Sequence, residues 1–143
     1  MKVKEAMHKG VDWVGPDTPV VELAKLMCEH DIGAIPIGEN DHLIGMVTDR
    51  DIVVRAVAEN RPPGNAAVST VMSEGVYCCY DDDGVTDAAR LMAEHQVRRL
   101  PVLNRGERMV GIVALADIAR CGVKEAETLA LENISQPSPQ PRH

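Results

Sequence analysis

The chain has 143 residues, a net charge of −7 and 45% hydrophobic residues, but no Phe, one Trp and two Tyr. A core can therefore be built only from Val, Ile, Leu, Met and Ala, in one ordinary domain or two very small, interdependent ones. The acidic balance argues against a general nucleic-acid surface, which needs clustered Lys and Arg along phosphate backbones, and leaves room for a small anionic ligand held by one or two cations and backbone donors.

The N-terminal MKVKEAMHKG lacks the apolar stretch of a signal peptide, and no apolar run approaches the roughly 20 residues that span a bilayer. A cytoplasmic protein without membrane association is expected. In DTPVVELAKLMCEH, Thr18 is the expected N-cap and Pro19 the first helical residue, with Val20, Leu23, Ala24 and Met27 on one face. The strand AIPIG, the polar turn ENDH and the strand LIGMVT read as a hairpin, closed by a helix over DRDIVVRAVAEN. RPPGNAAV then forbids helix continuation with consecutive prolines. DDDGVTDAARLMAEH restarts from an acidic cap with Val85, Ala88, Ala89 and Met92 on its apolar face, and RLPVL, NRGER, MVGIVA and LADIARCG repeat the hairpin and closing helix. The end, NISQPSPQPRH, is polar and proline-rich, and disorder is expected.

This order is a tandem repeat. An offset of 65 positions lays Val3, Met7, Gly10 and Val11 on Val68, Met72, Gly75 and Val76, and Val21–Ile37 on Thr86–Val102. One extra residue in the second connecting turn makes the offset 66, bringing Gly45 onto Gly111 and Asp51 onto Asp117. The boundaries are then residues 1–60 for the first repeat, 61–67 for a linker, 68–122 for the second repeat and 123–143 for an extension. Each repeat alone is marginal in size, so the two are expected to pack together.

The phrase GMVTDRDI at positions 45–52 returns as GIVALADI at 111–118. Thr48 at a strand end and Asp51 in the first helical turn fit a helix capping box. They equally fit a ligand contact, since a carboxylate can accept both vicinal ribose hydroxyls while a helix N-terminus favours an anion. Ala114 replaces the threonine in the second copy, which weakens either role there. Other constellations have plain accounts. His30 and His95 fall at helix C-termini, where an imidazole meets the dipole. Cys78 and Cys79 read as strand thiols on opposite faces, Asp81–Asp83 as a solvated helix start, and the four cysteines, without C-x-x-C spacing, as reduced. No metal-ligand spacing and no nucleophile–base–orienter set is visible, so neither a metal site nor a catalytic residue is expected.

Helix, hydrophobic-Pro-hydrophobic strand, hairpin and then G-h-x-T-x-x-D-h (h apolar), written twice over residues 3–121, resembles the cystathionine β-synthase (CBS) domain. EHDIGAIPI, GMVTDRDIV, EHQVRRLPV and VGIVALADIAR look most similar to small stand-alone CBS pairs. The resemblance implies an α/β (α+β) fold of two β-α-β-β-α units about a pseudo-twofold axis, with two clefts between them and commonly a homodimer formed through helices. It implies composite clefts that bind AMP, ATP or another adenosyl ligand. Thr48 and Asp51, with Arg50 towards phosphate, would share one cleft with Val76, Val97, Arg98, Arg99 and Pro101. Ala114 and Asp117 would face Val11, Ile32, Gly33, Ala34 and Pro36 in a second, weaker one. Read alone, Arg98 and Arg99 serve equally as salt-bridge partners for surface carboxylates, and Arg50 as a solvated residue. The function implied is non-enzymatic regulation through an effector protein the sequence does not identify. The competing reading is an interaction module with vestigial pockets that docks on a separate partner.

Overall fold

The computed structural model describes residues 1–9, 13–62 and 64–135. Val11 and the proline-rich end from residue 136 lie outside the described residues. The elements in order are α1 (Val3–Ala6), β1 (His8–Lys9), α2 (Val20–His30), β2 (Ala34–Glu39), β3 (His42–Thr48), α3 (Asp49–Asp51) running into π-helical turns (Ile52–Val57), a 3₁₀ turn (Val68–Thr70), β4 (Cys79–Tyr80), α4 (Val85–His95), β5 (Arg99–Leu103), β6 (Met109–Ala114), α5 (Leu115–Ala119) and α6 (Lys124–Ser135). The mixture of helices and strands is the α+β content expected.

The chain divides into two compact units that do not follow the boundaries read from the repeat: residues 1–9 belong with 77–135, and residues 13–76 form the other unit. Each unit borrows its opening segment from the other repeat. In the first unit the sheet order is β1-β6-β5-β4, with β4 parallel to β5 and the other pairs antiparallel. His8 pairs with Ile112, and the bridge Lys2–Gly84 and the bonds Val3 N–H to Asp83 O (2.8 Å) and Lys4 N–H to Asp81 O (2.9 Å) tie α1 down. In the second unit the hairpin β2–β3 is flanked by single bridges, Val14 parallel to Ile37 and Ser73 antiparallel to Met46. There the bridge Pro19–Ala67 and the bonds Val68 N–H to Thr18 O (2.8 Å) and Ser69 N–H to Pro16 O (3.2 Å) repeat the pattern at the equivalent positions. Val3 and Val68, fully buried, each join the core of the unit that holds the other repeat's helix and hairpin.

Helices α2 and α4 start one residue later than expected. Pro19 and Gly84 are the N-caps, extended at φ −63° and −73°, and neither gives a side-chain bond. Thr18 instead offers its carbonyl to Val68, and Asp83 accepts from the Tyr80 N–H at 2.9 Å. The helices end alike, in left-handed Asp31 and Gln96, with Ile32 and Val97 N–H bonded back to Met27 and Met92 O at 3.0 Å. In the first hairpin Asn40 and Asp41 both take positive φ (54° and 65°), the two-residue turn that matches strand twist. The second hairpin is one residue longer, organised by Asn104 Oδ1 accepting from Gly106 (2.9 Å) and Arg108 (3.1 Å) N–H, and this residue produces the change of offset from 65 to 66.

The cores are aliphatic, as the composition requires. Leu23, Ile35, Ile37 and Val47 centre one, and Met92, Leu100, Val113 and Ile118 the other. Helix α6, read from the sequence only as an extension, packs on α4 and α5 through fully buried Ala126 and Ala130. It also buries Asn133, whose side-chain Nδ2 has no partner among the described residues.

Candidate functional site

The two G-h-x-T/A-x-x-D corners lie where a hairpin strand meets a helix start. In the first, β3 leads through Thr48 (φ −104°, ψ 163°) into helical residues 49–57. A full capping box forms: Thr48 Oγ1 accepts the Asp51 N–H at 3.1 Å, and Asp51 Oδ2 accepts the Thr48 N–H at 2.8 Å. Asp51 is 13% exposed, and its Oδ1 has Arg55 Nε at 4.0 Å, beyond a direct hydrogen bond. Arg55 is itself held by the carbonyls of Val71 (3.3 Å) and Met72 (3.2 Å) in the borrowed segment. The strand start lies alongside: Ala34 pairs with Thr48, and the Asp49 N–H donates to Gly33 O at 3.0 Å. Ile32 and Gly33 are half-buried, Ala34 and Pro36 buried, and Arg50 exposed.

The second corner keeps the geometry without the hydroxyl. Ala114 has nearly the same backbone (φ −105°, ψ 155°), and Asp117 Oδ2 accepts its N–H at 2.9 Å. Half of the capping box therefore survives the loss of threonine, because the aspartate supplies that half. Asp117 Oδ1 differs from its counterpart: His8 Nε2 lies 3.1 Å away and Arg120 Nη2 3.6 Å, on a carboxylate 10% exposed. Arg99 pairs with Ala114, and the Arg98 carbonyl accepts the Leu115 N–H at 2.8 Å. Both arginine side chains are exposed, and neither guanidinium forms an ion pair among the described residues, so the salt-bridge account of them is not met there. Val76 and Val97 are half-buried, and Pro101 is buried opposite Ile112.

A glycine in each corner explains how the borrowed segment comes so close. A Cβ at Gly111 would lie 2.6 Å from the His8 carbonyl oxygen and 2.7 Å from Met7 Sδ; at Gly45 it would lie 3.0 Å from the Ser73 carbonyl oxygen and 2.7 Å from Met72 Sδ. Sequence reasoning missed His8, since nothing in the linear repeat says that residue 8 meets residue 117, and it missed Arg55 and Arg120, which the helical spacing of four and three residues from Asp51 and Asp117 could have found.

The remaining clusters are structural. Cys79 is buried in β4, and desolvation, then Asp83 and Cys78, push its thiol up to about 12; burial and the Glu107 and Asp83 carboxylates also raise Cys78. Neither is an activated nucleophile. His95 stacks on Tyr77 with ring centroids 3.6 Å apart. Arg105 ties the acidic turn through Asp82 (2.8 Å) and Asp83 (3.6 Å), and its hydrogen bond holds the Asp82 carboxyl below its ordinary range. Among the described residues no three His, Cys, Asp or Glu side chains gather as a metal site, and no helix is long and apolar enough to cross a membrane.

The CBS domain family model matches residues 3–57 and 68–124. The CBS domain-containing protein YhcV of Bacillus subtilis is 43% identical over 134 residues, 93% of this chain and 94% of its own length. Hypoxic response protein 1 of Mycobacterium tuberculosis is 42% identical over 118 residues, 82% of each chain. Its crystal structure, with two coordinated zinc ions, superimposes with a TM-score of 0.78 at 40% identity, covering 85% of this chain and 98% of that one. Two ligand complexes are also similar. The CBS domain pair of protein MJ0100 with 5′-methylthioadenosine and S-adenosyl-L-methionine has a TM-score of 0.75 at 28% identity, covering 84% and 94%. CBSX2 with AMP has a TM-score of 0.74 at 25% identity, covering 86% and 96%. This chain belongs to the CBS domain family and carries two copies of the domain.

Proposed function

We propose that the protein is a non-enzymatic regulatory module of the cytoplasm that binds an adenine nucleotide or related adenosyl ligand at the Thr48–Asp51 corner. The observation that carries this reading is the Asp51 carboxylate, 13% exposed, with one oxygen committed to the helix cap and the other, among the described residues, approached no closer than 4.0 Å by Arg55. A carboxylate held this way can accept from a ribose hydroxyl without surrendering its structural bond. Arg98 and Arg99, exposed and without ion pairs among the described residues, would be the phosphate-facing cations that the CBS resemblance implies, with Val76, Val97 and Pro101 along the adenine. That MJ0100 is seen with adenosyl ligands and CBSX2 with AMP supports the ligand class.

Isothermal titration with AMP, ATP, S-adenosylmethionine, 5′-methylthioadenosine and NADH tests the reading. Binding of at least one, lost in Asp51→Asn, is expected; no binding to any at millimolar concentration would defeat it. Replacing both Arg98 and Arg99 by Ala should weaken AMP and ATP while sparing uncharged 5′-methylthioadenosine.

A homodimer through helices is part of the proposal, supported by Val53 and Val57, each 58% exposed and one turn apart. Light scattering on Val53→Asp/Val57→Asp against the parent chain decides it. A second reading, an interaction module with vestigial pockets that docks on a separate effector, draws on the missing hydroxyl at Ala114. A partner captured equally with and without nucleotide would favour it.

A further inference from the structure

The two aspartates of the repeat each accept the N–H of the residue three positions back, at 2.8 and 2.9 Å, but differ in what reaches the second oxygen. The shortest contact in that difference, the one from His8, comes from the borrowed segment, beside Arg120 three residues after Asp117. Residue 8 in the first unit and residue 73 in the second occupy equivalent sheet sites, His8 opposite Ile112 and Ser73 opposite Met46. His8 reaches Asp117 Oδ1 at 3.1 Å, whereas Ser73 forms no hydrogen bond to Asp51. We infer that His8 is a latch on the second corner: its imidazole occupies the acceptor that a ribose diol needs, so the chain takes one adenosyl ligand instead of two. The inference rests on the preceding reading that these aspartate corners bind ribose.

Three observations carry it. Asp117 has little acceptor capacity to spare, being 10% exposed with Oδ2 bonded to the Ala114 N–H and Oδ1 shared between His8 and Arg120 at 3.6 Å. A ribose would have to displace His8 and compete with Arg120, where at Asp51 it meets an oxygen with no such bond. The backbone of His8 is held by its antiparallel pairing with Ile112, packed close over Gly111, where an added Cβ would lie 2.6 Å from the His8 carbonyl oxygen. The imidazole itself is 74% exposed, so it can rotate away from Asp117 without unpacking the core. His8 therefore belongs to neither the hydrophobic core nor the charged surface at large; it is placed on one carboxylate oxygen.

The test is ligand stoichiometry. Titration with AMP and with 5′-methylthioadenosine should give one site per chain for the parent protein and two for His8→Ser, which copies the residue at Ser73. His8→Ser combined with Asp117→Asn should return to one. Because the expected change is a gain, a poorly folded variant cannot imitate it. His8→Ser binding no more ligand per chain than the parent, or a parent that already binds two, overturns the latch. Asp51→Asn in the His8→Ser background separates the two claims: one remaining site upholds the latch even where the parent chain binds nothing.

Discussion

Thr48 and Ala114 show what one hydroxyl is worth. Because Asp51 and Asp117 each hold the N–H of the residue three positions back, at 2.8 and 2.9 Å, Thr48→Ala removes only the bond from the Asp51 N–H. The expected cost is about 1 kcal/mol of unfolding free energy, read by urea denaturation, with Thr48→Ser close to the parent. Nucleotide affinity should fall in Thr48→Ala as well; unchanged affinity would leave the hydroxyl as a cap alone. Cys79 gives a pH signature. Its thiol pKa rises from 9.0 to about 12 on folding, so the folded state holds that proton more tightly. The associated stability is complete below pH 9 and lost as pH climbs through about 12, and Cys79→Ala should flatten that decline in denaturation curves. Asn133 points the other way. Its buried side-chain NH₂ lacks a partner among the described residues, so Asn133→Leu should raise the melting temperature. At this scale the T-x-x-D pattern announced the cap, since capping is a local matter of three-residue spacing. The company of the aspartate's other oxygen was not legible, because His8 is 109 positions from Asp117 and reaches it only through sheet pairing.

The hairpins were the most readable elements. Alternation, a polar turn and the one-residue change of offset are all local, and Asn40–Asp41 and Asn104–Arg108 realise them. The helix starts were misplaced by one residue: Thr18 and the aspartates carry good capping oxygens, but tertiary bonds from Val3 and Val68 claim the carbonyls of Asp83 and Thr18 and leave Gly84 and Pro19 at the caps. Helix α6 went unread because its buried face is mostly alanine, which carries little hydrophobic contrast in a sequence of KEAETLALENIS. The motif glycines fall inside the strands LIGMVT and MVGIVA, and both face an adjoining backbone that the linear sequence does not show. Gly111→Ala, whose Cβ would meet an immovable carbonyl, should destabilise by roughly 1–3 kcal/mol in thermal or urea unfolding. Gly45→Ala, with 3.0 Å to the Ser73 carbonyl oxygen, should cost less.

Across the whole molecule, the repeat in the sequence and the units in space divide the chain differently. The duplication was plain in the letters, but the crossing of residues 1–9 into one unit and of residues up to 76 into the other was not, because two equivalent segments fit either hairpin equally well on paper. A fragment of residues 1–76 holds everything the second unit needs, whereas residues 1–60 lack Val68, Val71 and the Ser73 bridge. The longer fragment should accordingly show more secondary structure by circular dichroism and greater resistance to proteolysis. Equal behaviour of the two would mean that the borrowed segment contributes little. The same crossing sets an order on biosynthesis. The unit of residues 13–76 has all its parts once residue 76 has left the ribosome, while Val3, made before that unit, waits for Val85, Leu100 and Ile118 to be translated. A segment made before the first finished unit is thus among the last to find its place, and a nascent chain halted between the two units would carry one finished unit beside a loose, unclaimed strand.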